Sequence, residues 1–115
     1  MRKLEVYFNN EKAGVLSEII SERKTGYHFQ YYTDYLNTDL PPISLLIPKR
    51  AEPYEADYLF PFFANILPEG ANRKIISQGL KIDENDLFGL LCAMAGKDFI
   101  GAVNLRPYET TEPSL

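Results

Sequence analysis

Near residue 57 the spacing of apolar residues changes, and this change constrains the fold more than any other feature of the sequence. Before it, apolar and polar residues alternate. In Lys3-Leu4-Glu5-Val6-Tyr7-Phe8, the residues Leu4, Val6 and Phe8 alternate with Lys3, Glu5 and Tyr7. This is the period of a strand with one buried face. Asn9-Asn10-Glu11 is a turn signal and Gly14-Val15-Leu16 follows, so the chain opens with a hairpin. Gly26 opens a further strand in which Tyr27, Phe29 and Tyr31 share one face and His28 and Gln30 the other. Pro41-Pro42 and Pro48 bracket Ile43-Ser44-Leu45-Leu46-Ile47, read here as a short strand with limited pairing. The stretch from Pro48 to Ala56 reads as a charged loop.

After the change, Tyr58, Leu59, Phe62, Phe63 and Ile66 fall at helical spacing. Pro61 places the start of this first helix close to it, where a missing N–H is harmless. Leu67-Pro68-Glu69-Gly70 breaks the pattern, and a second helix runs to about Gln78. Gly79 fits the left-handed position past its end, with Leu80 folding back onto Ile75. Asp83 is the expected N-cap of a third helix, with Asp86 three positions on. Leu87, Phe88, Leu90, Leu91 and Met94 form its buried stripe. Gly96 ends it, and residues 99–105 read as a last strand. Strands, then helices, then one strand define an α+β domain. Its sheet is mainly antiparallel, with about three helices on one face. Residues 1–107 are expected to form the domain and 108–115 a mobile tail.

A chain of 115 residues is enough for one domain and buries roughly two-thirds of its unfolded surface, so no disulfide or metal is needed. Hydrophobic residues at 45% and charged residues at 24% are close to ordinary globular values and argue against disorder. A net charge of −4, with only the short basic pairs Lys49-Arg50 and Arg73-Lys74, argues against direct nucleic-acid binding. The single Cys92 supports neither an internal disulfide nor a cysteine-rich zinc site. The first residues, Met1-Arg2-Lys3-Leu4-Glu5, lack the apolar segment of a signal peptide. No apolar run approaches the ~20 residues of a membrane helix. Cytoplasmic residence is the expectation.

Catalytic motifs fail on inspection. Gly96-Lys97 would belong to a phosphate loop only with Gly in place of Leu91 and Ser or Thr in place of Asp98. It reads better as helix-to-strand punctuation. Asp86-Leu87-Phe88-Gly89 carries one residue too many for the kinase Asp-Phe-Gly and lies in a helical pattern. His28 is the single histidine, and no neighbouring context makes a catalytic pair with Cys92 or a serine. Glu52, Glu55 and Asp57 read as a solvated loop. No enzyme, metal or cofactor is expected.

The most specific stretch is Pro61-Phe62-Phe63-Ala64-Asn65-Ile66-Leu67-Pro68-Glu69-Gly70, followed by Arg73. It resembles the P-F-F-x-N-L-L-P-E-G-x-x-R signature of the N-terminal subdomain of HipA-type serine/threonine kinases. Pro42-Ile43-Ser44 and Leu46-Ile47-Pro48 resemble that family's P-L-S-x-S-L-P region. Gly96, Asp98 and Gly101-Ala102-Val103 resemble its closing G-x-D-x-x-G-A-V. The likeness covers about residues 4–105. One departure is Phe99, where the family often has Cys. The larger one is that no catalytic Asp loop, nucleotide-binding lysine or metal-binding Asp follows the last strand.

The resemblance implies a non-catalytic protein, similar to the free-standing, HipS-like antitoxins of three-component HipBST-type toxin–antitoxin systems. Its implied partner is a HipA-like kinase. A DNA-binding, HipB-like protein completes such sets, so DNA is reached only through the complex. A structural or activating subunit, or an excised regulatory piece of a longer kinase, remains an open alternative. Tyr54 and Phe60, aromatics beyond what one buried stripe needs, are the expected anchors for the partner. Both also suit a role covering the domain's own core. Arg73 either pairs with Glu69 four residues before it or reaches a carboxylate on the kinase.

Overall fold

The computed structural model describes residues 2–67, 71–96 and 102–108. Five strands form one antiparallel sheet in the order β4-β3-β2-β1-β5. They are β1 (Arg2–Phe8), β2 (Glu11–Ile20), β3 (Thr25–Tyr31), β4 (Tyr54–Ala56) and β5 (Val103–Pro107). The expected hairpin joins β1 to β2. Asn9 and Asn10, at φ 46° and 69°, supply the left-handed pair that matches the twist of the strands. The register sets Leu4 opposite Leu16 and Val6 opposite Gly14, then shifts after Val6, so the pairing continues with Tyr7 opposite Lys12.

One sheet face carries Leu4, Val6, Leu16, Phe29, Tyr31 and Leu105, all buried, as the alternation predicts. Phe29 sits at its centre, 4.9 Å from the Tyr31 ring and 5.7 Å from that of Phe63. The opposite face is less plainly solvated than alternation suggests, because Glu5 is also buried. Tyr7 Oη and Tyr32 Oη donate to its two oxygens at 3.1 and 3.3 Å, and Lys12 Nζ lies 3.6 Å away. These contacts replace the water a buried carboxylate loses.

The helices are α1 (Thr33–Leu36), α2 (Pro61–Ala64), α3 (Ala71–Leu80) and α4 (Leu87–Met94). Three answer to the expected ones. The one-turn α1, which buries Tyr35, has no counterpart among the helices expected from the sequence. Pro61 occupies the start of α2, and Leu59 and Phe63 are buried. Tyr58 is not part of that stripe: it precedes the helix and is 83% exposed.

The end of α3 differs from expectation. Gly79 lies inside the helix, and Lys81 takes the left-handed position at φ 57°. Ile82 N donates to Ser77 O at 2.9 Å and Lys81 N to Gln78 O at 3.3 Å, the paired bonds of a Schellman end. Ile82 is therefore the residue that folds back onto the core, while Leu80 and Ile75 are both exposed. A Cβ at Gly79 meets nothing within 4 Å. Gly79→Ala is accordingly expected to stabilise the domain by about 0.5–1 kcal/mol, read as a higher midpoint in urea unfolding.

The cap of α4 also moves. Asp86, not Asp83, is the N-cap, accepting from Gly89 N at 3.0 Å. Asp83 instead closes the preceding turn, accepting from Asn85 N at 2.8 Å. Phe88, Leu90 and Leu91 are buried as expected, and Leu87 and Met94 half-buried. Gly96, at φ +84°, follows α4 and donates to Leu105 O at 2.8 Å, which ties the helix end to β5. The closing strand begins at Val103. Its expected start at 99–101, the break at 68–70 and the tail at 109–115 lie outside the described residues.

Arg2 fastens the far end of the sheet to α4. Its Nε donates to Glu18 Oε1 at 2.7 Å, and Nη2 and Nη1 donate to the two oxygens of Asp86 at 2.9 and 3.2 Å. The guanidinium carbon also lies 5.4 Å from the Phe88 ring centroid.

Candidate partner-docking surface

The segment between β3 and β4 is where structure and expectation part most. Residues 43–47 form no ladder strand. Ser44 and Ile47 make an isolated bridge that closes a tight turn. The physical reason is the prolines: Pro41, Pro42 and Pro48 remove the backbone donors a paired strand would need on both flanks.

A side chain supplies the missing partner. The Tyr31 hydroxyl accepts from Ile43 N at 3.1 Å and donates to Ile47 O. Burial pushes its pKa up to about 12, so it remains a donor throughout the physiological range. Ile43 and Ile47 are consequently held in the core at 5% and 3% exposure. Ser44 Oγ accepts from Leu46 N at 3.1 Å, and Ile47 N donates to Ser44 O at 3.0 Å. Between these fixed ends Leu45 and Leu46 stand out at 91% and 79% exposure.

The cations next to the turn, Lys49 half-buried and Arg50 exposed, are engaged by protein groups. Lys49 Nζ donates to Thr38 O and Leu40 O at 2.9 and 2.8 Å and lies 5.0 Å from the Tyr35 ring centroid. Arg50 donates to Glu52 O and Pro53 O at 3.2 and 3.1 Å, with its guanidinium carbon 3.7 Å from the centre of Tyr54. Tyr31→Phe would leave the buried Ile43 N and Ile47 O without their shared partner. The expected loss is about 1–3 kcal/mol, measured by urea unfolding.

The residues singled out from sequence sit as follows. Tyr54 is half-buried on β4, and its hydroxyl donates to Pro48 O at 2.6 Å, so it braces the base of the exposed turn. Phe60 is half-buried just before α2, edge-on to Phe63 at 6.2 Å. Arg73 is half-buried in α3, and Glu69 lies outside the described residues. Tyr54 and Phe60 thus both pack on the core. The leucines at 45 and 46 escaped the sequence reading because an apolar run of five resembles a strand. The signal against a strand was the proline on each side.

Other groups offer little chemistry. His28 Nε2 lies 3.3 Å from Glu55 Oε1 across β3 and β4. Cys92 is half-buried, and burial pushes its thiol pKa up, away from the thiolate. Among the described residues no group of three His, Cys, Asp or Glu side chains is placed to hold a metal ion. No described helix is long and apolar enough to cross a membrane.

A five-stranded antiparallel sheet with four helices and an exposed apolar turn between β3 and β4 defines a small α+β domain. The chain belongs to the HipA N-terminal domain family, whose model matches residues 4–106. That domain is non-catalytic. A solved structure described as the N-terminal domain of HipA toxin is 31% identical, with a TM-score of 0.69 over 96% of this chain and 95% of that one. An uncharacterized protein of Haemophilus influenzae is 34% identical over 92% of both chains. The putative kinase Y4mE of Sinorhizobium fredii is 32% identical over 98% of this chain, which spans only 26% of that relative's length. In family and fold the chain fits a HipS-like protein.

Proposed function

We propose that this protein binds a HipA-like serine/threonine kinase in the cytoplasm and inhibits it as an antitoxin, without cofactor or catalysis of its own. The observation that carries the reading is the coverage. The domain that spans nearly all of this chain takes up 26% of a putative kinase. The remainder of such a kinase is the natural partner of a module of that kind. Contact with DNA would then run through a DNA-binding protein in the same complex, in keeping with the net charge of −4.

Calorimetric titration of the chain into a HipA-like kinase from the same organism tests the reading. Saturable one-to-one binding with a negative heat-capacity change is expected, because apolar surface is buried on docking. Absence of measurable binding at tens of micromolar would count against it.

A further inference from the structure

We infer that Leu45 and Leu46 form the knob through which this protein docks into an apolar pocket of the kinase. The inference rests on the binding role proposed above and adds the surface that performs it. Three features of the turn point the same way.

The first is rigidity. Among the described large apolar residues Leu45 is the most exposed, at 91%, and Leu46, at 79%, follows Tyr58, yet Ile43 and Ile47 on either side of them are buried. Tyr31 pins both ends of the turn through one hydroxyl. The leucines therefore cannot reach the domain's own core, and docking them costs little conformational freedom. The second is the local charge. Lys49 and Arg50, which follow the turn in sequence, donate to backbone carbonyls and lie over the rings of Tyr35 and Tyr54, Lys49 half-buried and Arg50 exposed. An apolar pocket can close over the tip while Lys49 stays engaged by protein groups and the exposed Arg50 remains in water at the rim.

The third is shape, which selects the occupant. Two leucines on a convex tip cover far less than the roughly 800 Å² per partner of a standard interface. Tip-to-tip contact between two copies would therefore be weak. A knob suits a concave partner that also contacts other parts of this domain. In the putative kinase relative, most of the chain lies beyond this domain and is available to supply that concavity. Exposed leucines at a fixed turn then act as an anchor, surrounded by contacts that exclude water.

The test compares wild type, the double variant Leu45→Ser/Leu46→Ser and the control Ile75→Ser. Ile75 is 66% exposed on α3, so all three proteins keep the same core. Melting temperatures are measured first and are expected to agree. Kinase affinity is expected to fall roughly 30-fold or more in the double variant, the size of an interface hot spot. It is expected to hold within about threefold in the control, as for near-neutral interface positions. Wild-type affinity in the double variant would overturn the knob while leaving the kinase-binding role intact. Equal losses in the double variant and the control would overturn it too, since the effect would then be general stickiness. Concentration-dependent dimers of wild type that the double variant abolishes would assign the turn to a second copy instead. A wild-type protein that fails to bind the kinase removes the proposed function, and the knob with it.

Discussion

Gly14→Ala is expected to destabilise the domain by about 3 kcal/mol or more, the upper end of overpacking costs. Gly14 sits on β2 opposite Val6 on one side and Tyr31 on the other, in the middle of the sheet. A Cβ built there would lie 2.4 Å from Gln30 O and 2.8 and 2.9 Å from two atoms of the Phe29 ring. The carbonyl belongs to the neighbouring strand and cannot retreat without disturbing the β2–β3 ladder. The ring cannot retreat because Phe29 is fully buried against Tyr31 and Phe63. Thermal unfolding should show a loss on the order of 10 °C, by the usual scaling of free energy to melting temperature. A shift of only a degree or two would mean that the sheet is far more deformable than its packing indicates.

Arg2→Met should have the second-largest effect, a loss of about 2–3 kcal/mol. Methionine keeps the apolar stem but removes the donors. Glu18, at 4% exposure, would keep only the Tyr27 hydroxyl, 3.3 Å away. The full cost of orphaning a buried charge is not expected, because the Arg2 side chain is 37% exposed and water can follow it in. Adding Glu18→Gln should recover part of the loss, since the neutral amide is less costly to bury.

The effect carries a pH signature. Hydrogen bonding from Arg2, helped by Gly89 N, holds the Asp86 carboxyl below its ordinary pKa. A depressed folded pKa contributes stability that is complete above the unfolded value of about 3.9 and is lost as pH falls through the folded one. The gap between wild type and Arg2→Met should therefore be constant from pH 5 to 8 and narrow below about pH 4. Urea unfolding across that range would reveal it.

The hairpin, the tyrosine strand and the buried stripe of α4 were legible because each rests on local periodicity over several residues. Leu4 and Val6, Phe29 and Tyr31, and Phe88, Leu90 and Leu91 all face the core as their spacing requires. Three readings failed where a distant partner decides. Gly79 looked like a helix terminator, but the chain turns at Lys81, where Ile82 can pack inward. Asp83 looked like the N-cap, but Asp86 is the one that Arg2 meets from 84 residues away in sequence. Residues 43–47 looked like a strand, but a single hydroxyl from β3 folds them into a turn. The candidate surface was hidden for the same reason. Spacing alone cannot tell that Tyr54 braces Pro48 or that Tyr58 falls outside α2.

The measurement that bears most directly on the account is phosphate transfer by a HipA-like kinase from the same organism, followed while this protein is titrated in. The account predicts that activity falls with added protein and reaches its floor near one equivalent. Tight binding with unchanged or rising activity would contradict inhibition and make the chain a structural or activating subunit of the kinase.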